Sequence, residues 1–260
     1  MDPIGFGWEF AALMLAGFGA GLVDAVAGGG GLIQVPALFS ALPGELPATI
    51  FGTNKGSSVF GTANAAWRYA RRIEIPWDIA LPAAGTAFVS SFAGAATVAW
   101  LPKDVVRPLI LGLLVLVALY TAFRRDFGIA AKPVAHHRRG AVLLVGGVLG
   151  FYDGFFGPGM GSFVIFAFVR WFGLDFLRAS AAAKIVNGST NLAALCFFIP
   201  SGHVLWGVAL SMALFNVLGA QVGTRLAIRR GSGFVRGVFL AATVLLIAKF
   251  GHDTWLTMVK

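Results

Sequence analysis

The chain has 260 residues, of which 58% are hydrophobic and only 12% are charged, and its mean hydropathy is +0.82. Soluble domains carry about 25% charged residues, so this composition excludes an ordinary soluble domain and a disordered chain. At about 20 apolar residues per span, the length accommodates roughly six to nine membrane crossings and no sizeable domain outside the membrane. We therefore expect one all-α polytopic membrane domain over residues 1–260.

The net charge of +9 comes largely from basic residues in short segments between apolar stretches. Such charges set membrane orientation, so they favour a topology signal over binding to nucleic acid. The single cysteine, Cys196, excludes an intrachain disulfide, a cysteine zinc site and a CxxC redox pair. His136 and His137 fall in a basic loop and His203 in a short turn, so we expect no metal site and no cofactor. The chain contains no GxxxxGK[ST], HExxH or GxSxG motif, so we expect neither an enzyme nor an ATP-driven pump.

The first half begins with an apolar run over residues 8–27, followed by the glycines at 28–31 and a short apolar piece over 32–42. No basic residue precedes the first run, unlike in a secretory signal, so we expect that run to be retained. The short piece is too short to cross a bilayer. Longer apolar segments follow at residues 48–67, 77–101 and 105–123. This half is therefore predicted to form a broken or re-entrant helix hairpin plus three transmembrane helices.

The second half repeats the first at a constant separation of 129 residues (153 − 24), without a gap. Gly17, Gly21, Asp24, Gly28, Gly30, Lys55, Trp77 and Arg107 match Gly146, Gly150, Asp153, Gly157, Gly159, Lys184, Trp206 and Arg236. The apolar segments of this half are residues 140–156, 163–172, 177–199, 204–226 and 234–250. We expect repeat one at about 8–123 and repeat two at about 140–252, joined by a cytoplasmic loop at 124–139.

Loop charges indicate how the two repeats are oriented. Basic residues mark cytoplasmic ends at 68–72, 124–139 and 225–230. The loops at 43–46 and 200–203 contain no lysine or arginine and are predicted to lie outside. Following the chain with these assignments, repeat two enters the membrane from the opposite side to repeat one, so the repeats are predicted to be inverted.

Inverted repeats with helices interrupted at corresponding places are typical of secondary transporters, whose substrate lies near the midplane. The glycine breaks at 28–31 and 157–161 permit positive φ angles and close backbone approach. The short helices after them would direct N-terminal ends into the protein, which favours an anion. Alternatively, the glycines only permit tight helix packing, although two clusters in register favour a site. The candidate positions in these breaks are Gly29, Gly30, Gly31, Gly159 and Ser162.

Four ionisable residues, Asp24, Lys55, Asp153 and Lys184, lie within or beside apolar segments. A charge at the bilayer centre costs at least ~2.5–3.5 kcal/mol, so these groups are expected to be paired or functional. Lys55 follows Pro47 by eight residues, about 12 Å along a helix, and Lys184 occupies the equivalent depth from the other side. Either the two ammonium groups converge on a positive pocket for a small dianion or sulfonate, or an Asp–Lys pair forms within each repeat. A transporter can also alternate between the two.

Polar side chains near the lysines could orient oxyanion oxygens, or could merely bridge membrane helices at about 0.6 kcal/mol each. The leading candidates are Asn54 and Asn187. Further candidates are Thr53, Ser57, Ser58, Ser189, Thr190 and Asn191, followed by Gln34, Asn216 and Gln221. Asp24 and Asp153 are candidate coupling or ion-pair groups that exchange partners with the lysines or take up protons.

Two signatures resemble those of the TauE/SafE family, also called the toluene sulfonate uptake permeases. The first is GLVDAVAGGGGLIQVP at residues 21–36, followed by GTNK at 52–55. The second is GFYDGFFGPGMGSF at 150–163, with ASAAAK at 179–184 and Asn187. The resemblance covers almost the whole chain. It places motif positions at Asp24, the glycines of 28–31, Asn54, Lys55, Asp153, Gly157, Gly159, Lys184 and Asn187.

This resemblance implies a multi-pass carrier in the bacterial inner membrane that moves sulfur-containing anions such as sulfite, thiosulfate, sulfoacetate, taurine or other organosulfonates. Family members work as exporters or importers. The partners expected are therefore a small anionic substrate and the lipid bilayer, and the sequence does not indicate an oligomeric state. An anion channel on the same pore and a membrane scaffold without flux are the alternative functions.

Overall fold

The computed structural model describes residues 7–100 and 139–258, without the side chains of residues 236 and 239–258. Within these ranges the chain is helical and contains no strand. The helices are α1 (Trp8–Ala27), α2 (Gly31–Ala41), α3 (Pro47–Ala70), α4 (Trp77–Trp100), α5 (Arg139–Phe155), α6 (Met160–Phe172), α7 (Phe176–Phe198) and α8 (Trp206–Met258). The predicted segment 105–123, residues 124–138 of the predicted loop, and His136 and His137 lie outside the described residues. The all-helical prediction is confirmed for the described part.

Helix boundaries follow local signals in the sequence. Helix α1 ends at Gly28, whose φ of 77° is the left-handed conformation that commonly closes helices. Helix α3 begins with Pro47, which tolerates the first helical position because its missing N–H has no partner there. Helix α7 is capped by the Asp175 carboxylate, which accepts hydrogen bonds from the N–H groups of Leu177 and Arg178, both at 3.0 Å.

One predicted boundary falls inside α8. The segments predicted at 204–226 and 234–250 are two helical stretches that meet at a kink between them, without a loop. Only Gly231 departs from helical geometry, with φ 72° and ψ −169°. A single glycine can take this conformation without a steric penalty, so the chain kinks there and continues as a helix.

The helices pack in three layers. Helices α3 and α7 contact each other in the central layer, with α1 and α8 on one side and α4 and α5 on the other. Helix α2 lies between α1 and α3, while α6 packs on α7 and α5. Thr49 near the start of α3 contacts His203 beyond the end of α7, and Glu74 beyond the end of α3 pairs with Arg178 at the start of α7. The two central helices therefore run antiparallel.

Glycines allow the outer helices to approach closely, and they do so at matched positions in the two halves. A Cβ atom at Gly94 of α4 would overlap the Phe151 carbonyl of α5. A Cβ atom at Gly223 of α8 would lie 2.5 Å from the Leu22 carbonyl of α1. These two contacts correspond at the 129-residue register, so the sequence duplication extends to the tertiary packing. Small residues of this kind drive helix association in membranes, where lipid is as apolar as the helix surface.

Within residues 7–100 and 139–258, three helical stretches are long and apolar enough to cross a membrane: Trp8–Ala27, Trp77–Trp100 and Trp206–Val235. Their outer faces expose large apolar side chains, including Leu15 at 72%, Val89 at 71% and Leu214 at 62%. Helices α3 and α7 are as long but more polar, and the outer layers shield them. The apolar surface therefore surrounds a polar centre.

Candidate functional site

The two intramembrane lysines lie on the central helices. Lys55 follows the first residue of α3 by eight residues, and Lys184 follows the first residue of α7 by the same number. Only 3% of the Lys55 side chain and 0% of the Lys184 side chain are exposed. Because α3 and α7 are antiparallel, each lysine reaches the centre from a different end of the bundle.

Each lysine is paired with an aspartate of the other half. Lys55 Nζ lies 2.7 Å from Asp153 Oδ2, and Lys184 Nζ lies 2.8 Å from Asp24 Oδ2. The sequence-based alternative of an Asp–Lys pair within each repeat is therefore wrong. The end of α1 also contacts α7 of the opposite half, where Ser180 donates a hydrogen bond to the Val26 carbonyl. These two ion pairs connect the halves at the centre of the molecule.

The two pairs are not equivalent in geometry. Lys184 donates a hydrogen bond to Asp24, whose side chain is 16% exposed. Lys55 lies as close to Asp153, but Asp153 Oδ2 accepts no aligned hydrogen bond from any described residue. Both partners of this second pair are 3% exposed. The Lys55–Asp153 contact is thus the more deeply buried and the less well aligned of the two.

The interrupted helices meet at their breaks. Gly28, after α1, lies so close to Gly161 of α6 that a Cβ atom on either residue would overlap the other's backbone. The Ser162 N–H donates to the Gly28 carbonyl at 3.2 Å, and its hydroxyl donates to the Ala27 carbonyl at 2.7 Å. The other break contributes Pro158, 3.2 Å from the Cβ position of Gly31. The glycines therefore permit backbone-to-backbone contact between the two breaks.

Hydroxyl groups from three elements satisfy the carbonyls at the end of α1. Tyr69 of α3 donates to the Ala25 carbonyl at 2.9 Å, and Ser180 of α7 donates to the Val26 carbonyl at 3.0 Å. Ser162 completes this set at Ala27. Unsatisfied carbonyls are costly in a membrane, so these hydroxyls make the break tolerable. Sequence analysis missed Tyr69 and Ser180, since nothing in the local pattern marks their distant acceptors.

A small polar cavity lies beside the breaks. Its volume is about 30 Å³, and Asp24, Lys55 and Asp153 contribute to its walls together with Gly28, Gly30, Gly31, Gly157 and Gly161. Such a volume holds about two water molecules. Lys184 does not line it and lies behind Asp24, so the two lysines do not face one shared pocket. The expectation of two free ammonium groups converging on a positive pocket is therefore corrected: each lysine is paired with one aspartate, and each pair has no net formal charge.

Amide and hydroxyl side chains complete the walls. Asn54 and Asn187 both line the cavity, and the buried Oδ1 of Asn54 has no hydrogen-bond partner among the described residues. Ser58, Thr62, Asn191 and Asn216 are the other polar residues of the walls. Asn191 Nδ2 donates to Thr62 Oγ1 at 3.4 Å, and these residues correspond at the 129-residue register. Thr62 was missed by sequence analysis, although its match with Asn191 was a usable signal.

Besides Lys184, three other predicted site residues, Gly29, Gly159 and Ser162, lie outside the walls. Gly29 packs against Val23 and Leu32, and Gly159 precedes α6 with a φ of 84°. Ser162 uses its N–H and its hydroxyl on backbone carbonyls of the other half. Their observed contacts shape the breaks rather than the cavity surface.

These features define a polytopic helical membrane protein in which interrupted helices enclose ionisable groups, an arrangement typical of secondary transporters. The family model described as sulfite exporter TauE/SafE matches residues 13–250, and the chain belongs to this family. The predicted family is thereby confirmed, and the protein is a membrane transporter and not an enzyme.

Several relatives match almost the whole chain. The probable membrane transporter protein YfcA of Escherichia coli (strain K12) is 34% identical over 254 residues, covering 98% of this chain and 92% of the relative. The probable membrane transporter protein ORF9 of Sinorhizobium sp is 37% identical over 247 residues, covering 94% and 92%. A probable membrane transporter protein of Haemophilus influenzae is 32% identical over 247 residues, covering 94% of each chain. No solved structure matches the chain.

Proposed function

We propose that this transporter moves small sulfur-containing anions, such as sulfite, thiosulfate, sulfoacetate, taurine or other organosulfonates, across the bacterial inner membrane by alternating access. The observation that carries this proposal is the pair of buried Lys–Asp contacts that cross between the halves beside a small polar cavity. A lysine buried at this depth is costly unless it is paired or used. The family description points to sulfite as one candidate substrate.

Lys55 is the lysine that first contacts the anion in this conformation. It lines the cavity, whereas Lys184 lies behind Asp24. Asn54, Ser58 and Asn187 lie in the same walls and offer amide and hydroxyl donors to oxyanion oxygens. The cavity must widen to admit a sulfonate, because it now holds only about two waters.

Charge balance leads to proton coupling. An anion that replaces Asp153 at Lys55 leaves a buried carboxylate without its partner, and uncompensated buried charges are strongly unfavourable. Protonation of Asp153 restores neutrality, so one proton accompanies each singly charged anion. In the opposite conformation, Lys184 and Asp24 take the same roles.

The proposed architecture is one transmembrane domain with repeat one at about 8–123, a cytoplasmic loop at 124–139 and repeat two at about 140–252. The antiparallel course of α3 and α7 supports an inverted relation between the repeats. The meeting of the breaks at Gly28 and Gly161 supports re-entrant hairpins that turn back in the membrane. Inverted repeats are related by a pseudo-two-fold axis in the membrane plane. When the two halves exchange conformations, the site therefore opens to the opposite side of the membrane.

Calorimetry on purified protein tests the binding site. Sulfite, thiosulfate, sulfoacetate, taurine and acetate are titrated into the wild type, Lys55→Ala and Lys184→Ala. Arg178→Ala is the matched control, because its partner Glu74 is exposed and remote from the cavity. We expect one sulfur anion to bind the wild type and the control, and folded Lys55→Ala to lose it. Equal binding by all variants would contradict the proposed site.

Flux into proteoliposomes tests the mechanism. At constant membrane potential, an imposed pH gradient is expected to drive accumulation of the bound anion, and Asp153→Asn is expected to abolish that coupling. Counterflow and saturation distinguish a carrier from an anion channel. Uptake that does not depend on the pH gradient would overturn proton coupling. Binding of the anion without any flux would support a membrane scaffold.

A further inference from the structure

Five arginines converge on a second cavity at one end of the bundle. Arg68, Arg71 and Arg72 come from the end of α3, and Arg225 and Arg229 come from α8. The cavity volume is about 440 Å³. The Arg71 guanidinium lies 4.1 Å from the centroid of the Trp67 ring, which holds one wall of the cavity in place.

These arginines have no acidic partner in the described part of the chain, where every ion pair involves Lys55, Lys184 or Arg178. Arg68 Nε donates to Asn64 Oδ1 at 3.1 Å, which leaves its other donors free to point towards the cavity. Like charges so close together repel one another, so an anion in the cavity relieves the repulsion. Guanidinium groups are also the side chains best shaped to bind a phosphate through two parallel hydrogen bonds.

An apolar groove continues from the arginine cavity. It has a volume of about 470 Å³ and shares Arg68 and Arg225 with that cavity. Its other walls include Phe18 of α1 and Leu218, Val222 and Leu226 of α8. Leu218 precedes Arg225 by seven residues, about 10 Å along the helix, so the groove extends from the charged end towards the membrane interior.

The arginines are not required by the repeated scaffold. At the 129-residue register, the positions that match them in the other half hold uncharged residues. These are Phe197, Pro200, Ser201, Ala96 and Trp100. A topology signal alone requires positive charge at this end of the molecule. It does not require that α3 and α8, which are distant in sequence, both place arginines in one cavity beside an apolar groove.

We propose that this cavity and groove bind an anionic phospholipid, with its phosphodiester on the arginines and an acyl chain along α8. Basic pockets between helices suit anionic headgroups, and the groove supplies the apolar surface that a free phosphate does not use. The site is separate from the central cavity, since the two share no residue.

Native mass spectrometry of the delipidated protein in detergent tests the proposal. Dioleoyl phosphatidylglycerol, dioleoyl phosphatidylcholine and inorganic phosphate are titrated separately. The wild type is expected to prefer phosphatidylglycerol, and Arg68→Gln/Arg225→Gln is expected to weaken its binding at least about tenfold without changing phosphatidylcholine binding. Arg178→Gln removes an arginine at the same end and is expected to keep the preference.

A second double variant, Arg71→Gln/Arg229→Gln, changes only exposed residues and provides the same test if the first double variant fails to fold. It too is expected to lose the preference for phosphatidylglycerol. Equal binding of both lipids by the wild type, or an unchanged preference in a folded double variant, overturns the proposal. Inorganic phosphate that occupies the site as tightly as phosphatidylglycerol also overturns it, because the groove then contributes nothing.

Discussion

At the scale of single residues, the buried ion pairs are the features with the greatest energetic consequence. A buried ion pair often contributes little net stability, because desolvation offsets the attraction, yet removing one partner is strongly destabilising. Asp153 is 3% exposed and Asp24 is 16% exposed, so the two carboxylates differ in how much water can replace a lost lysine. Breaking the two pairs is therefore expected to lower the free energy of unfolding by different amounts.

Lys55→Met is expected to destabilise the protein by about 3–5 kcal/mol, because it leaves the Asp153 carboxylate buried and unpaired. Lys184→Met is expected to cost less, since water reaches Asp24. Denaturation in detergent, followed by circular dichroism, measures both losses.

The exposed pair Arg178–Glu74 is the control, and Arg178→Gln is expected to cost no more than about 1 kcal/mol. The double variant Lys55→Met/Asp153→Leu is expected to recover most of the stability, because it removes both charges, while transport stays lost. If Lys55→Met, Lys184→Met and Arg178→Gln lower the free energy of unfolding by the same amount, the burial of the ion pair does not determine the loss of stability.

At the scale of elements, the contact between the two helix breaks depends on glycine residues. Gly28 combines a φ of 77° with direct contact to Gly161, so an alanine there is unfavourable in conformation and in space. Gly202 has a similar φ of 73°, but nothing lies within 4 Å of its Cβ position. An alanine at Gly202 therefore incurs only the conformational penalty, whereas an alanine at Gly28 incurs the conformational and the steric penalty.

Gly202→Ala is expected to cost about 1–2 kcal/mol, the penalty of a left-handed alanine, and to leave transport intact. Gly28→Ala is expected to cost more and to abolish transport, because the end of α1 and the start of α6 must move apart. Thermal unfolding and flux in proteoliposomes measure both effects. Equal losses of stability and transport in the two variants would show that the contact between Gly28 and Gly161 contributes to neither.

At the scale of the whole molecule, loops are gathered at two opposite ends. Contacts between Thr49 and His203 place the loops at 43–46 and 200–203 at one end. The Glu74–Arg178 pair and the arginine cavity mark the other end. Since lysine and arginine favour the cytoplasmic side, the arginine end is expected to face the cytoplasm.

Cysteine labelling tests this orientation in a Cys196→Ala background. Gly44→Cys and Ser201→Cys, both exposed, are expected to react with a membrane-impermeant maleimide added on the side opposite the cytoplasm. Glu74→Cys, on a side chain that is 83% exposed, is expected to react only after the membrane is permeabilised. Opposite labelling of Gly44→Cys and Ser201→Cys would contradict the packing, and reversed labelling of all three would contradict the orientation.

The sequence by itself determined the helices of the described part and the family, and it contains the 129-residue correspondence between the two halves. Apolar runs bounded by glycine and proline are local signals, so the predicted segment at 48–67 corresponds to Pro47–Ala70 and that at 77–101 to Trp77–Trp100. The predicted separation between 204–226 and 234–250 likewise corresponds to the kink at Gly231, where a single residue redirects the helix without a loop. The rare charged residues within apolar segments likewise marked the centre of the molecule.

Only the tertiary structure decided which aspartate each lysine contacts. Lys55 has Asp24 nearer in sequence, yet it pairs with Asp153, because layer packing and not chain distance brings side chains together. The neutral, water-sized cavity and the convergence of arginines from α3 and α8 have the same origin. Hydropathy and spacing describe each helix alone, whereas partners and cavities depend on how helices distant in sequence pack in space.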